Sequence, residues 1–228
     1  MIFADCGNTA VKLACGAERV RLSPDQVAAW LASHAGDELV LLPGAEASAC
    51  RVRQAWSGRL IELGRDLPLP ECGQYPGMGV DRIVAGLAAG SAVIVVDAGT
   101  ATTLTAWDGS GRFAGGLILP GAHALIAGLC ACAPALPSVE PLGRDAPAAQ
   151  RDTRGAIAAG AGLGHAGMVE ACLARLQLET RLGRIIITGA GAAALDLAEA
   201  EPRPWLVLEG MQEMWDRRHR DAQRTNRG

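Results

Sequence analysis

The chain has 228 residues and half of them are hydrophobic, so it can bury one large core or two small ones, and a disordered chain is excluded. A formal net charge of -3 and a pI near 5.8 leave no basic footprint for nucleic acid or for an anionic membrane, which favours a small-molecule partner. The seven cysteines form no CxxC pair, and Asp5 interrupts the apolar segment that a signal peptide needs, so we expect reduced thiols and a cytoplasmic protein.

The first half of the chain reads as strands joined by turns, followed by alternating helices and strands. An apolar start runs into the turn Asp5-Cys6-Gly7-Asn8-Thr9, and further strands are predicted at 10–15, 19–22, 38–42 and 60–63. Ser23-Pro24 predicts a helix start, because serine is a good N-cap and proline suits the first helical position. Two more helices are expected at 45–56 and 79–89.

The second half repeats this order. Apolar residues 92–96 lead into Asp97-Ala98-Gly99-Thr100, and strands at 102–107 and 112–119 flank a turn at 108–111. Helices are predicted at 122–132 and 153–178, on either side of a proline-rich loop. Strands at 184–188 and 205–208 and a C-terminal helix complete the chain.

Residues 113–138 lack Asp, Glu, Lys and Arg and approach the length of a bilayer span. Pro120-Gly121 divides this segment, and Gly115-Gly116 lies close by. We therefore predict a strand, a tight turn and a buried helix here, and no association with a membrane.

An internal repeat indicates the fold class. The segments that begin at Asp5 and Asp97 each join two strands through an Asp-x-Gly turn, and each is followed by helices alternating with strands. This is the order of a ribonuclease-H-like unit. The sequence predicts an α/β protein with a duplicated ribonuclease-H-like, or actin-like ATPase, fold: two lobes, at 1–90 and 91–228, with a nucleotide cleft between them.

The first of these turns has the chemistry of a phosphate site. Gly7 lets the backbone approach a phosphate, the turn amides with Asn8 and Thr9 can donate hydrogen bonds, and Lys12 adds a positive charge. Asp5 could hold Mg²⁺ directly or through water. An ordinary hairpin turn is the alternative for one copy alone, and the second copy favours a nucleotide site.

The second turn supplies the same parts. Asp97-x-Gly99-Thr100 could grip a nucleoside triphosphate together with the first turn. The glycine-rich segment from Thr188 to Gly191 could approach the ribose or base, and a plain helix start explains it equally well.

Five motifs, in this order, resemble those of type III pantothenate kinases and cover about three-quarters of the chain: Asp5-x-Gly-Asn-Thr-x-x-Lys12, Gly79-Val-Asp81-Arg82, Asp97-x-Gly-Thr100-Ala-x-Thr103, Gly115-Gly-x-Ile-x-Pro-Gly121 and Thr153-x-x-Ala-Ile-x-x-Gly160. The resemblance implies ATP-dependent phosphorylation of pantothenate to 4'-phosphopantothenate, the first step of coenzyme A biosynthesis. It also implies a homodimer, for which the apolar helix 153–178 is a reasonable interface element.

The resemblance also implies residue roles. Asp81 is the expected proton acceptor, and Asp97 the expected ligand of a monovalent cation, K⁺ or NH₄⁺. The residues expected to bind ATP are Asp5, Cys6, Gly7, Asn8, Thr9, Ala10, Val11, Lys12 and Thr100. Those expected to contact pantothenate are Tyr75, Gly79, Val80, Asp81, Arg82 and Thr153, with Arg82 as a fork for its carboxylate.

Two positions depart from the family pattern. Thr105 stands where members often carry an acidic residue, and Tyr75 lies closer to the Gly-x-Asp-Arg motif than the family's tyrosine does. Two other functions remain open from the sequence: a kinase of the same superfamily with another small substrate, and a catalytically silent nucleotide-binding regulatory protein.

Overall fold

The computed structural model describes residues 1–34, 36 and 38–225, with side chains through 220. The chain divides into two compact units, Met1–Gly90 together with Trp205–Gly228, and Ser91–Pro204. The first division falls between Gly90 and Ser91.

The first unit is built on a five-stranded mixed sheet, whose strands are β1 Ile2–Cys6, β2 Val11–Cys15, β3 Glu18–Leu22, β4 Glu38–Leu42 and β5 Arg59–Glu62. Their order across the sheet is β3-β2-β1-β4-β5. Strand β2 pairs antiparallel with both β1 and β3, whereas β4 pairs parallel with β1, and β5 parallel with β4. The helices are α1 Val27–Ser33, α2 Glu46–Ala55, α3 Val80–Ala89 and, numbered in chain order, α7 Leu206–Thr225.

The second unit repeats this topology. Its elements are β6 Val93–Ala98, β7 Ala101–Trp107, β8 Phe113–Pro120, α4 Ala122–Cys132, α5 Thr153–Thr180, β9 Arg184–Thr188, α6 Ala192–Leu195 and β10 Ala200–Pro202. The strand order is β8-β7-β6-β9-β10, so β6 takes the central place of β1, with β7 antiparallel on one side and β9 parallel on the other. The shared order and strand directions confirm the duplicated ribonuclease-H-like fold.

Two predicted elements were wrong. Helix α1 begins at Val27, because the Ser23 hydroxyl bonds the Gln26 side-chain oxygen (2.8 Å) within a turn instead of capping a helix. The strand predicted at 205–208 is the first turn of α7, whose Leu206, Val207 and Leu208 are all buried. A run of three or four apolar residues fits a buried helix as well as a strand, so periodicity alone could not separate them.

The predicted second domain, 91–228, must also be corrected at its C-terminal end. Helix α7 packs against α3, β1 and β2, so the chain from Trp205 onward belongs to the first unit. The α3–α7 contact is close: a Cβ on Gly210 would overlap the Val84 carbonyl oxygen. The apolar face of α3 is thus covered by a helix from the far end of the chain.

Segment 113–138 forms the predicted strand, turn and helix, but the helix is not buried. In α4, Ile126 is the buried residue, and Leu129 is 41% exposed. Helix α5 is long and apolar enough to cross a membrane by length and composition, yet 44% of its apolar window is buried inside the protein. Its buried face packs on the second sheet through Ala166, Val169, Leu173 and Leu176, so α5 serves as a packing helix.

The loop between α4 and α5 is anchored along α5. The Leu142 amide donates to the Ala158 carbonyl (3.0 Å), and Arg144 binds the Glu170 carboxylate (2.7 Å) and the Leu195 carbonyl (2.8 Å). At the crossing, Gly162 has no room for a side chain, because a Cβ there would overlap the Leu142 carbonyl.

We expect Gly162→Ala to lower the free energy of unfolding by about 1–3 kcal/mol, because the loop backbone must move away from α5. Gly167→Ala in the same helix is the matched control. A Cβ at Gly167 meets nothing within 4 Å, so this change should stabilise the protein by roughly 0.5–1 kcal/mol. Urea unfolding of both variants checks the prediction, and equal effects would contradict the close crossing.

Candidate active site

The carboxylate of the first Asp-x-Gly turn is paired with a lysine. Asp5 lies one residue before the end of β1, directly opposite Lys12 on β2. Lys12 Nζ is 3.9 Å from Asp5 Oδ2, and the two side chains are 16% and 13% exposed. The pair therefore places both charge signs beside the turn, as a site for phosphate and a hard cation requires.

The turn itself is short and fixed from outside. The Gly7 amide donates to the Ala10 carbonyl (3.0 Å), and the Ser48 hydroxyl of α2 donates to the Gly7 carbonyl (2.8 Å). Asn8 and Thr9 at the tip are exposed. The predicted phosphate-binding residues of this turn thus lie together on one rigid, accessible hairpin.

Two of the predicted ATP-binding residues have buried side chains. Cys6 and Val11 are fully buried in the core of the first unit. Burial, helped by the nearby Asp5 carboxylate, raises the pKa of the Cys6 thiol to about 12. Cys6 stays a neutral thiol, so these two residues can offer a nucleotide only their backbone groups.

The second Asp-x-Gly turn has the same construction. Asp97 lies one residue before the end of β6, and the Gly99 amide donates to the Ala101 carbonyl (3.2 Å). The Gly121 amide, at the start of α4, donates to the Thr100 carbonyl (3.0 Å). Thr100 is exposed and Asp97 is half-buried.

In both units, the backbone carbonyl of the residue after the aspartate accepts a hydrogen bond from the loop that follows the neighbouring parallel strand. The Cys6 carbonyl accepts from the Ala45 amide (2.6 Å), in the loop after β4. The Ala98 carbonyl accepts from the Gly191 amide (2.8 Å), in the loop after β9. The end of each central strand is therefore fixed by one backbone bond from the same relative position.

This contact needs a glycine in each loop. A Cβ on Gly44 would lie 2.8 Å from the Cys6 carbonyl oxygen, and one on Gly189 would lie 2.5 Å from that of Ala98. The glycine-rich segment 188–191 predicted a functional role for Gly189, whereas Gly44 was not predicted. The signal was present, because both glycines follow the apolar strand that pairs in parallel with the Asp-bearing strand.

Asp97 is flanked by hydroxyl side chains across the sheet. Its register partners are Thr103 on β7 and Thr188 on β9, so the three side chains share the face opposite Val96 and α5. Thr105, which departs from the family pattern, is buried two positions further along β7 on this same face.

The Gly-x-Asp-Arg motif forms the start of α3. Gly79 is the N-cap, Val80 the first helical residue, and the Arg82 amide donates to Asp81 Oδ1 (2.8 Å). A carboxylate in the first turn is favoured by the positive end of the helix dipole. The half-buried Asp81 is thereby held at a helix terminus and not on a mobile loop.

Tyr75 contacts this motif, although it lies closer to the motif in sequence than the family's tyrosine does. The Arg82 guanidinium donates to the Tyr75 hydroxyl (2.7 Å) and lies 5.9 Å from the centre of the Tyr75 ring. Arg82 is 7% exposed and Tyr75 is 44% exposed. The structure thus brings together the candidate substrate residues Tyr75, Gly79, Val80, Asp81 and Arg82.

Thr153 lies at the start of α5, which is capped by Asp152 accepting from the Gly155 amide (2.9 Å). The threonine is exposed and lines an open groove of about 610 Å³ between α4 and α5. The other walls of the groove are apolar or glycine: Leu125, Ile126, Leu129, Ala156, Ile157, Gly160, Ala161, Gly164 and Met168.

His165, on α5, contacts the strand that follows the second Asp-x-Gly turn. Its Nε2 is 2.8 Å from Oγ1 of Thr102, which follows the turn on β7, and both residues are buried. Burial lowers the pKa of His165, so the ring is neutral near pH 7. His165 is therefore a core residue that bridges α5 and β7.

Comparison with known proteins gives a consistent family. The family model for type III pantothenate kinase matches residues 1–175. The type III pantothenate kinase of Synechococcus elongatus is 35% identical over 190 residues, covering 79% of this chain and 71% of its own length. That of Thermosynechococcus vestitus is 37% identical over 151 residues, covering 64% and 58%.

Solved structures share the fold. A Baf family protein from Campylobacter jejuni has a TM-score of 0.66 at 19% identity and covers 96% of this chain and 100% of its own. The ethanolamine utilization protein EutJ from Carboxydothermus hydrogenoformans has a TM-score of 0.51 at 16% identity, covering 92% and 88%. At these identities the likeness concerns the fold alone.

The neutral state of His165 predicts a pH dependence of stability. Because its pKa is lowered in the folded protein, the unfolded chain binds the proton first as pH falls through about 6.5. The free energy of unfolding should therefore fall below about pH 6.5, and His165→Gln should remove that part of the slope. Urea unfolding between pH 5 and 8 measures it.

His34 provides a control of opposite sign. A hydrogen bond to Glu18 raises the pKa of His34, so its contribution is present at low pH and is lost as pH rises through the raised value. His34→Gln should make the free energy of unfolding fall more steeply as the pH is lowered, whereas His165→Gln should make it fall less steeply. Parallel pH profiles for the two variants would contradict the assignment of His165.

Proposed function

The chain belongs to the type III pantothenate kinase family, and we propose that it transfers the γ-phosphoryl group of ATP to the primary hydroxyl of pantothenate. The product is 4'-phosphopantothenate, which places the enzyme at the first step of coenzyme A biosynthesis. The observation that carries the proposal is the Tyr75–Arg82–Asp81 cluster, since it combines a carboxylate-binding fork with a candidate base.

We assign ATP to the two hairpins. The exposed tip residues Asn8, Thr9 and Thr100 can donate to phosphate oxygens, and Lys12 adds positive charge. Asp5 fits Mg²⁺ held through water, because a single partly accessible carboxylate leaves most of the coordination shell to water and phosphate. Bound Mg²⁺ would neutralise charge on the phosphates.

Asp97 fits the monovalent cation, K⁺ or NH₄⁺, that the family implies. The support is local: Asp97 supplies one carboxylate, and its sheet neighbour Thr188 has a buried hydroxyl without a hydrogen-bond partner among the described residues. One negative charge and neutral oxygens match a monovalent ion better than a divalent one.

Pantothenate would be bound mainly through its carboxylate. Arg82 offers the planar fork that pairs with carboxylates, and the Tyr75 hydroxyl already orients the guanidinium. Gly79 and Val80 offer backbone groups at the start of α3, and the exposed Thr153 offers a hydroxyl.

Asp81 would act as the base. A primary alcohol is far too weak an acid to ionise at neutral pH, and phosphoryl transfer depends chiefly on positioning and on stabilising charge. A carboxylate beside the hydroxyl therefore needs to accept the proton only late in the reaction. The bond from the Arg82 amide leaves Asp81 in a fixed orientation for this role.

We further propose a cytoplasmic homodimer. The apolar groove between α4 and α5, with Leu129 41% exposed on its wall, supports a surface that a second copy covers. The family relationship supports the cytoplasmic location.

Replacing Asp81 by asparagine should lower kcat about 10²–10⁴-fold, because the alcohol loses its proton acceptor. The KM for ATP should stay within a few-fold of the parent value. ADP release with and without pantothenate, in potassium and then in sodium, measures both effects. Glu71→Gln, an exposed carboxylate of the same unit, should leave turnover unchanged.

Equal turnover of the parent and Asp81→Asn proteins would rule out Asp81 as the base. ADP release that ignores pantothenate but responds to another alcohol or acid would replace the substrate and keep a kinase. No turnover with any acceptor, together with retained ATP binding, would leave a nucleotide-binding regulatory protein.

Arg82→Lys should raise the KM for pantothenate about tenfold with a smaller effect on kcat, because lysine keeps the charge but loses the two-pronged geometry. Arg51→Lys, an exposed arginine on α2, is the matched control and should change neither constant. Steady-state kinetics at saturating ATP check the split. A change in kcat alone would argue against a role for Arg82 in substrate binding.

A further inference from the structure

Among the described residues of the second unit, one buried hydroxyl lacks a hydrogen-bond partner. Thr188 is 0% exposed, and its Oγ1 makes no hydrogen bond to any described residue. Such a group in a folded protein needs an explanation, and a bound water or ion is one of the few available. Trp107 Nε1 is the other unpartnered buried side-chain atom among the described residues, and it lies at the opposite end of β7.

The position of this hydroxyl relates it to Asp97. Thr188 and Asp97 are register partners on the parallel strands β9 and β6, so their side chains project from the same face about 4.8 Å apart. No hydrogen bond joins the two side chains, because Thr188 Oγ1 has no partner in the part of the chain that the structure describes. A cation bound between them would take one oxygen from each side chain and so give Thr188 Oγ1 a partner.

The surrounding backbone keeps the Asp97 carboxylate at this edge. A Cβ on Gly189, the residue after Thr188, would lie 2.5 Å from Asp97 Oδ1, so the carboxylate leans over the start of the β9 loop. The loop is itself bound to the Ala98 carbonyl through Gly191. Any side chain at position 189 would collide with the Asp97 carboxylate and push it out of this position.

The donor set indicates the chemical class of the bound atom. One carboxylate and one neutral hydroxyl carry a single negative charge, which suits a large monovalent cation with loose geometry. Mg²⁺ requires near-ideal octahedral geometry and is reluctant to lose water, so it fits this pair poorly.

We propose that Thr188 Oγ1 is a ligand of the monovalent cation held at Asp97, and that it sets the affinity for that cation. The inference rests on the proposed function only in assigning the cation to Asp97. Its new element is the residue on β9, which couples the loop from Gly189 to Gly191 to cation binding.

The test is the potassium dependence of thermal stability, with KCl replacing tetramethylammonium chloride at constant ionic strength. The Tm of the parent should rise with KCl. Thr188→Val, which keeps the shape and removes the hydroxyl, should raise the KCl concentration for half of that rise about tenfold. Thr188→Ser should restore the parent midpoint, and Asp97→Asn should abolish the rise.

Thr102→Val is the matched control. Thr102 is also a buried sheet threonine, but it faces α5 and its hydroxyl binds His165. This variant should melt lower in both salts and keep the parent KCl midpoint. A lower Tm for Thr188→Val in both salts, with an unchanged midpoint, would assign the hydroxyl to a buried water and overturn the proposal.

Pantothenate phosphorylation, measured in parallel, separates this inference from the proposed function. A parent protein that phosphorylates pantothenate but shows no potassium-specific rise in Tm contradicts the cation site and leaves the kinase activity standing. A rise that depends on both Asp97 and Thr188, in a protein without pantothenate turnover, supports the site and contradicts the proposed substrate.

Discussion

Both hairpins depend on one backbone hydrogen bond at the end of the Asp-bearing strand. In each unit, the carbonyl of the residue after the aspartate accepts it from the loop that follows the adjacent parallel strand. Without the Ala45–Cys6 and Gly191–Ala98 bonds, the central strands would end in unpaired backbone at the position where the turns must stay open. With these bonds made, the strand ends are rigid and the turn tips remain exposed. Rigid elements that present accessible amides are what recognition of a phosphate requires.

The two copies share this geometry and differ in charge. In the first unit the aspartate faces Lys12, so the hairpin carries an ion pair. In the second the corresponding partner is Thr103, and Thr188 lies on the other side of Asp97. Duplication therefore preserved the backbone construction, while the residue opposite the aspartate decides whether the site offers a positive charge or neutral oxygens.

The hairpins and sheets were predictable because they depend on local signals: apolar runs, alternation and Asp-x-Gly turns. The failures came where a competing side chain nearby or a contact with a distant segment decides. Ser23 reads as an N-cap, but Gln26 takes its hydroxyl. The apolar run that starts at Leu206 reads as a strand, but α3 offers it a helical partner far away in sequence. The contact of Tyr75 with Arg82 depends on a loop path that no periodicity encodes.

The return of α7 to the first unit bears directly on the candidate base. Asp81 stands in the first turn of α3, and α3 is packed against α7 so closely that Val84 and Gly210 meet backbone to backbone. The orientation of the carboxylate is thus set by a helix whose packing is completed by the last helix of the chain. Arg82, whose guanidinium donates to the Tyr75 hydroxyl, is the next residue of the same helix. The packing of α3 against α7 therefore positions the candidate base and the carboxylate fork together.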